Sequence, residues 1–294
     1  MADRISFYDQ IARNKRKSVF LMILVFIVFV ALGYVISMAF SPGDFFMIMV
    51  LSIIFSISYL LISYYNCDKI AVASVGAQPA DRNQFRQLYN SVEGLTLASG
   101  MPMPRVFVMQ NEQINAFASG RDPQHAVVCV TTGALQKLNK QELEGVLAHE
   151  LSHISNYDIR FMTLVAVMVG MIAIISEFFL RSMWFRGNDR DNKGNAIFII
   201  IGIIMAILAP IVVQLVQLAI SRKREFSADA TSVQFTRYPA GLMNALKKIK
   251  NDKPMKVSKA VAPLFMSDPF RRKMATFMST HPPIDDRIKV LSKM

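Results

Sequence analysis

The segment Asn139-Lys140-Gln141-Glu142-Leu143-Glu144-Gly145-Val146-Leu147-Ala148-His149-Glu150-Leu151-Ser152-His153-Ile154-Ser155 reads as one helix with a defined start. Asn139 can cap it, and Glu142, three residues on, can return the bond as a capping box. Leu143, Val146 and Leu147 supply an apolar stripe at helical spacing. His149 and His153 are four residues apart and share a face, so two imidazoles can bind one ion. Glu150 lies about 100° round the axis from His149, within reach of a metal-bound water but clear of the coordination positions. Zinc lowers the pKa of such a water toward roughly 7, and a carboxylate can then take its proton as it attacks a peptide carbonyl. Each letter of His-Glu-Leu-Ser-His therefore has a physical reason. The bland alternative is a pair of solvated histidines on an amphipathic helix. Against it, the chain has only four histidines, and two of them fall here at ligand spacing.

A catalytic zinc needs three protein ligands and one open position. The remaining histidines, His125 and His281, could supply the third, and so could a carboxylate. The run Ser221-Arg222-Lys223-Arg224-Glu225-Phe226-Ser227-Ala228-Asp229 offers Glu225, with Asp229 one turn further on. A ligand, or an acid paired within a basic run: spacing alone leaves both readings of Glu225 open.

Around these segments the chain is unusually apolar. Of its 294 residues 53% are hydrophobic, above the roughly 45–50% of soluble proteins. The excess sits in four runs: Val19 to Phe40, Phe45 to Tyr65, Phe161 to Leu180 (interrupted only by Glu177) and Ala196 to Ile220. A span needs roughly 20 apolar residues, so each run predicts a transmembrane helix. Ser41-Pro42-Gly43-Asp44 predicts a tight hairpin between the first two. The first run is too long for a signal peptide and has no small-residue cleavage site after it. Pro210, Gln214 and Gln217 suggest a kink and a protein-facing side in the fourth.

Charge sets the orientation. Lys plus Arg exceeds Asp plus Glu by 33 − 21 = 12, and the basic residues cluster beside the apolar runs. With the N-terminus inside, Arg4, Arg13, Lys15, Arg16, Lys17, Lys69, Arg160, Arg222, Lys223 and Arg224 are cytoplasmic, against Arg181, Arg186, Arg190 and Lys193 opposite. No basic patch interleaved with aromatics points to nucleic acid. Cys67 and Cys129 are too few for a disulfide framework and are expected to be free, buried thiols in a reducing compartment.

Four segments follow: 1–65, an N-terminal transmembrane hairpin; 66–157, a catalytic part with the His-Glu helix; 158–220, a second hairpin; and 221–294, a second catalytic part with Glu225. His153 lies roughly 12 Å of helix before the third span and Glu225 roughly 7 Å after the fourth, so both emerge at one membrane face. Val106 to Met109, Ala126 to Val130 and Ile114 to Ala118 predict strands, the last reaching Ala126 through Ser-Gly-Arg-Asp-Pro. Arg82 to Leu97 and Tyr238 to Lys250 predict helices.

These motifs, in this order, resemble the HtpX group of bacterial membrane metallopeptidases, relatives of the CAAX-prenyl endopeptidases. The resemblance rests on Asn115-Ala116-Phe117-Ala118, on His149 to His153 followed by Asp158, and on Ser221 to Asp229. It also rests on Thr280-His281-Pro282-Pro283 with Arg287 after it. It implies an α+β fold: a cytoplasmic zincin-like metalloprotease domain on four transmembrane helices. It implies one Zn2+ per chain held by His149, His153 and Glu225, with Glu150 as general base and Asp229 fixing a ligand histidine's tautomer. Asn115, Ala116 and Phe117 would line an extended substrate. His281 and Arg287 would lie near the cleft, holding substrate or oxyanion, or packing beneath the zinc helix. The implied partners are the lipid bilayer and unfolded or damaged membrane proteins, with no nucleic acid, and the implied location is the bacterial inner membrane with both termini and the active site cytoplasmic.

Rival readings are an intramembrane protease of the site-two type, a prenyl-protein processing enzyme, and a silent scaffold or transporter. The polar start of the His-Glu helix, with Lys140, Gln141, Glu142 and Glu144, disfavours the first. Intact Glu150 disfavours a silent scaffold.

Overall fold

Residues 7–39, 45–166, 222–255, 257, 264–266 and 282–294 are described by the computed structural model. Among the helices lies a four-stranded sheet of β1 (Gln78–Pro79), β2 (Arg105–Met109), β3 (Ala116–Gly120) and β4 (Ala126–Thr131), in the order β1-β2-β4-β3. β2 and β4 are parallel, Val106 opposite Val128, and β3 returns antiparallel on β4, Phe117 opposite Cys129. A parallel pair must be covered on both faces, which is why these strands read as nearly unbroken apolar runs. The two-residue alternation of side chains then separates two cores. Val106, Val108, Ala116, Ala118, Val128 and Val130 face the helical layer that carries His149. Phe107, Phe117, Val127 and Cys129 face the opposite way, onto Ala71, Val72, Met162, Leu264 and Phe265.

The helical layer is α4 (Arg86–Ser99), α6 (Lys140–Ser155), α7 (Arg222–Thr236), α8 (Pro239–Asn251) and α9 (Ile284–Leu291); α5 (Thr132–Lys137) links β4 to α6, and α3 (Cys67–Ser74) precedes β1 and packs on the other face of the sheet. α6 lies at its middle and is buried along most of its length. Its capping box forms as expected: the Asn139 side chain accepts from the Glu142 N–H, and the Glu142 carboxylate accepts from the Asn139 N–H.

Several boundaries differ from the sequence expectation. The third strand runs over Ala116–Gly120 rather than Ile114 to Ala118, because Asn115 is drawn into a turn with Thr131 whose hydroxyl accepts its N–H. The helix expected from Arg82 starts at Arg86. There the Asp81 carboxylate accepts from the N–H groups of Asn83 and Gln84, and this local bonding competes with helix. The short elements α3, β1 and α5 were not anticipated. Both cysteines are free and buried as expected, and burial pushes the Cys67 thiol up to about 12.

α1 (Phe7–Ala39) and α2 (Phe45–Tyr65) pair lengthwise, with Phe29 edge-on to Phe55 and Tyr59. Among the described residues α2 is the one helix that passes a length and composition test for crossing a membrane. The first helical turns of the expected third span are present, since 158–166 is helical. The rest of that span, and the fourth run from Ala196 to Ile220, lie outside the described residues. At 33 residues α1 is roughly 50 Å long, well beyond the roughly 30 Å of a hydrocarbon core. Its buried face is the stripe Asn14, Ser18, Leu21, Val25 and Phe29, the apolar part packing on Phe161, Leu164 and Val165.

α6 and α8 meet through two glycines. A Cβ on Gly145 would stand 2.4 Å from the Leu242 N, and one on Gly241 would stand 2.5 Å from the Gln141 O. These neighbours are backbone and cannot swing aside. Gly145→Ala is therefore expected to lower stability by about 1–3 kcal/mol despite its better helix propensity. A thermal melt of the detergent-solubilised variant checks this, and a rise in Tm would refute the tight approach.

Candidate metal centre

α6 and α7 cross so that His149, His153 and Glu225 converge. One ligand atom from each lies within 4.8 Å of the others, and all three residues are buried. The rings of His149 and His153 stand edge to face, 4.8 Å apart. Their nitrogens divide the work. His149 Nδ1 is 3.0 Å from Asp229 Oδ1, and His153 Nδ1 is 3.1 Å from Asp158 Oδ2. A carboxylate against each Nδ1 fixes the proton there and leaves each Nε2 as an electron-pair donor. Both Nε2 atoms then face Glu225, at 3.6 Å from Oε2 and 3.6 Å from Oε1 respectively. Two ligands roughly 2.0–2.1 Å from one tetrahedral zinc stand roughly 3.3–3.4 Å apart. The three donors therefore fit a single small cation.

Charge points the same way. Glu150, Asp158, Glu225 and Asp229 are buried here with Arg224 and Arg287, a formal −4 + 2 = −2 with neutral imidazoles. Buried negative charge of that kind needs compensation; a proton on His149 or a divalent cation at the three donors can supply it. Arg287 is 1% exposed and forks onto Asp229, Nε donating to Oδ2 at 2.9 Å and Nη2 to Oδ1 at 2.6 Å. Its Nη1 reaches the Met266 carbonyl at 3.3 Å and lies 3.5 Å from Glu225 Oε2. Burial alone would raise the Asp229 carboxyl, but Arg287 and His149 hold it below the usual range. Burial and Arg287 work to deprotonate His149; the carboxylates of Asp229 and Glu225 overcome both and raise it to about 9. Glu150 is raised, chiefly by burial. Its carboxylate accepts from the Ala118 main-chain N–H, while Oε1 has no hydrogen-bond partner among the described residues.

The other residues singled out in the sequence fall in different places. His125 is not in the group: its exposed ring bonds to Asp122 and Arg121. His281 lies outside the described residues. Asn115 is buried, its Oδ1 accepting from the Ala116 N–H. Phe117 is buried against Phe265, ring centroids 5.2 Å apart. The outward main chain of β3 is engaged, since the Ala116 carbonyl accepts from the Met266 N–H beside a bridge between Phe117 and Phe265. Arg287 braces Asp229 from below. Asp158 carried no assigned role in the sequence beyond its place in the motif; its spacing from His153 was the available signal, and it needed the turn at 156–157 to become a contact.

A buried helix presenting His-Glu-Leu-Ser-His beside a mixed sheet, with a carboxylate from a second helix completing three donors, defines a metallopeptidase. Residues 82–294 match peptidase family M48, and the chain belongs to that family, within its HtpX proteases. It is 46% identical to a protease HtpX homolog of Thermoanaerobacter pseudethanolicus over 99% of each chain. It is also 46% identical to one of Caldanaerobacter subterraneus subsp. tengcongensis, over 98% of this chain and 97% of the other. A homolog from Lactobacillus helveticus is 41% identical over 98% and 99%. Among solved structures, that of S. mikatae Ste24p aligns with a TM-score of 0.49 at 20% identity, covering 95% of this chain but only 65% of that one.

His149 gives the metal-stripped protein a pH dependence. A folded-state value of about 9, above the ordinary 6.5, stabilises the fold fully below pH 6.5, and that contribution is lost as pH rises through about 9. EDTA-treated protein is expected to show a falling Tm across that window. Zinc-loaded protein, whose ligand imidazoles must be neutral, should not. A flat Tm in both forms would contradict the carboxylate-held imidazolium.

Proposed function

We propose that this chain is a membrane-anchored zinc endopeptidase that cuts cytoplasmic segments of misfolded or damaged membrane proteins. The convergence of the His149 Nε2, His153 Nε2 and Glu225 carboxylate is the observation that carries the reading. These three would hold one Zn2+, which supplies a Lewis-acid centre and a bound water of pKa near roughly 7. Glu150 is the general base: its carboxylate receives the water's proton and passes it to the leaving amine. Asp229 and Asp158 hold the two imidazoles in the tautomer that binds metal, and Arg287 holds Asp229.

The substrate chain would lie along the outer edge of β3, where main-chain bonds ask little of sequence. Met266 occupies part of that edge at Ala116 and Glu150 part of it at Ala118, so pairing along its full length requires both to give way. The apolar surface of α2 and the unbroken runs of the sequence support four membrane spans. The bias of basic residues supports an inner-membrane location with both termini and the site in the cytoplasm. A peptidase domain fixed at that face can reach loops extruded from damaged membrane proteins, and a quality-control role under stress follows from that access.

Purified Glu150→Gln protein is expected to keep zinc near one per chain while cleavage of an unfolded protein falls by about 10²–10⁴-fold. Undiminished cleavage would remove Glu150 from the chemistry. Glu225→Ala should instead lower zinc content by elemental analysis, and full occupancy would strike it from the ligand set.

A further inference from the structure

α1 does more than cross toward the bilayer. Asn14, 3% exposed, donates both hydrogens of its amide: Nδ2 to Asp158 Oδ1 at 2.7 Å and to the Asn156 carbonyl at 2.9 Å. Both partners are acceptors, so the NH2 end of the amide must face them. Asp158, wholly buried, uses its other oxygen on His153 Nδ1 at 3.1 Å. The chain turns sharply between, with Tyr157 at φ 58°, a left-handed conformation that non-glycine residues seldom adopt. Asn14 thus bonds both flanks of the strained turn that aims Asp158 at His153. Nothing in the local sequence of α1 calls for a buried asparagine there. An amide inside a helix–helix contact is costly unless fully bonded, and the remaining buried stripe of α1 below Ser18 is apolar.

From this geometry we propose that Asn14 is a positioning residue of the metal centre. Through Asp158 it orients the His153 imidazole, so the docking of the N-terminal membrane hairpin sets the affinity of the site for zinc. The inference rests on His153 being a zinc ligand. Losing a partner that orients a ligand typically weakens metal binding by 10–100-fold, and one bond further out the lower end applies.

Zinc affinity of full-length protein in detergent, measured at fixed pH by competition with a chelating dye, tests it. Asn14→Ala is expected to bind zinc about 10-fold more weakly than wild type. Asn14→Leu, which keeps the branching at Cγ in a larger side chain but removes both donors, should do the same and covers the case in which alanine fails to fold. Lys15→Ala removes another contact between α1 and this turn, the Lys15 ammonium 4.3 Å over the Tyr157 ring, without touching Asp158, and should leave zinc affinity unchanged. In an Asp158→Asn background, Asn14→Ala should have no further effect. Wild-type affinity in both Asn14 variants overturns the proposal, as does an equal loss in Lys15→Ala, which would mean general docking. Wild-type protein that binds no zinc would remove the metal reading and this inference together; one zinc with unaltered Asn14 variants removes this inference alone.

Discussion

The structure depends on how six charged side chains are buried in one place. Glu150, Asp158, Glu225, Asp229, Arg224 and Arg287 lie around two histidines with almost no access to water. Isolated, each would carry a desolvation cost of several kcal/mol. The cost is met pairwise. Arg287 forks onto Asp229, Arg224 lies 3.8 Å from Asp158, and each aspartate bonds an imidazole. Glu225 and Glu150 add negative charge beside the two Nε2 atoms, offset by Arg287 3.5 Å from Glu225 and by a proton on His149 or a bound cation. Such an arrangement suits a cation.

Bringing these groups together explains the rest of the architecture. α6 is gripped from all sides: by the sheet, by α4, by α8 through the Gly145 approach, and by α7. α7 supplies Glu225 and Asp229 one turn apart, and α9 supplies Arg287 from the C-terminal end of the chain. α1 reaches the same cluster through Asn14. Segments distant in sequence therefore share one electrostatic unit, and disturbing any of them is felt at His149 or His153. α1 thereby touches the support of His153 directly, through Asp158.

Much of this was legible in the residues. The capping box of α6, the shared face of His149 and His153, the short strands β2 and β4 and the free cysteines follow from local rules of spacing and composition. The misses have physical causes. α3, α5 and β1 are too short for periodicity to register. The start of α4 was misplaced because Asp81 captures two N–H groups that a propensity reading gives to a helix. β3 slipped by two residues because Thr131 and Asn115 bond each other across the turn. The contact of Met266 with the Ala116 edge joins residues 150 positions apart and has no local signal.

The sequence by itself determined the chemistry on offer: two imidazoles and a carboxylate on one helix, an acid four residues before another in a basic segment, and apolar runs of bilayer length. Those are consequences of helical and strand periods, which act over a few residues. Only the tertiary structure decided the partners. It brought Glu225 rather than His125 to the histidines, gave Asp229 to His149 and Asp158 to His153, and set Arg287 and Asn14 behind them. The physical reason is that closing a long loop costs only slightly more than closing a shorter one. Separation along the chain therefore says little about which charges meet, and that choice falls to packing and to the demand that buried charges be paired.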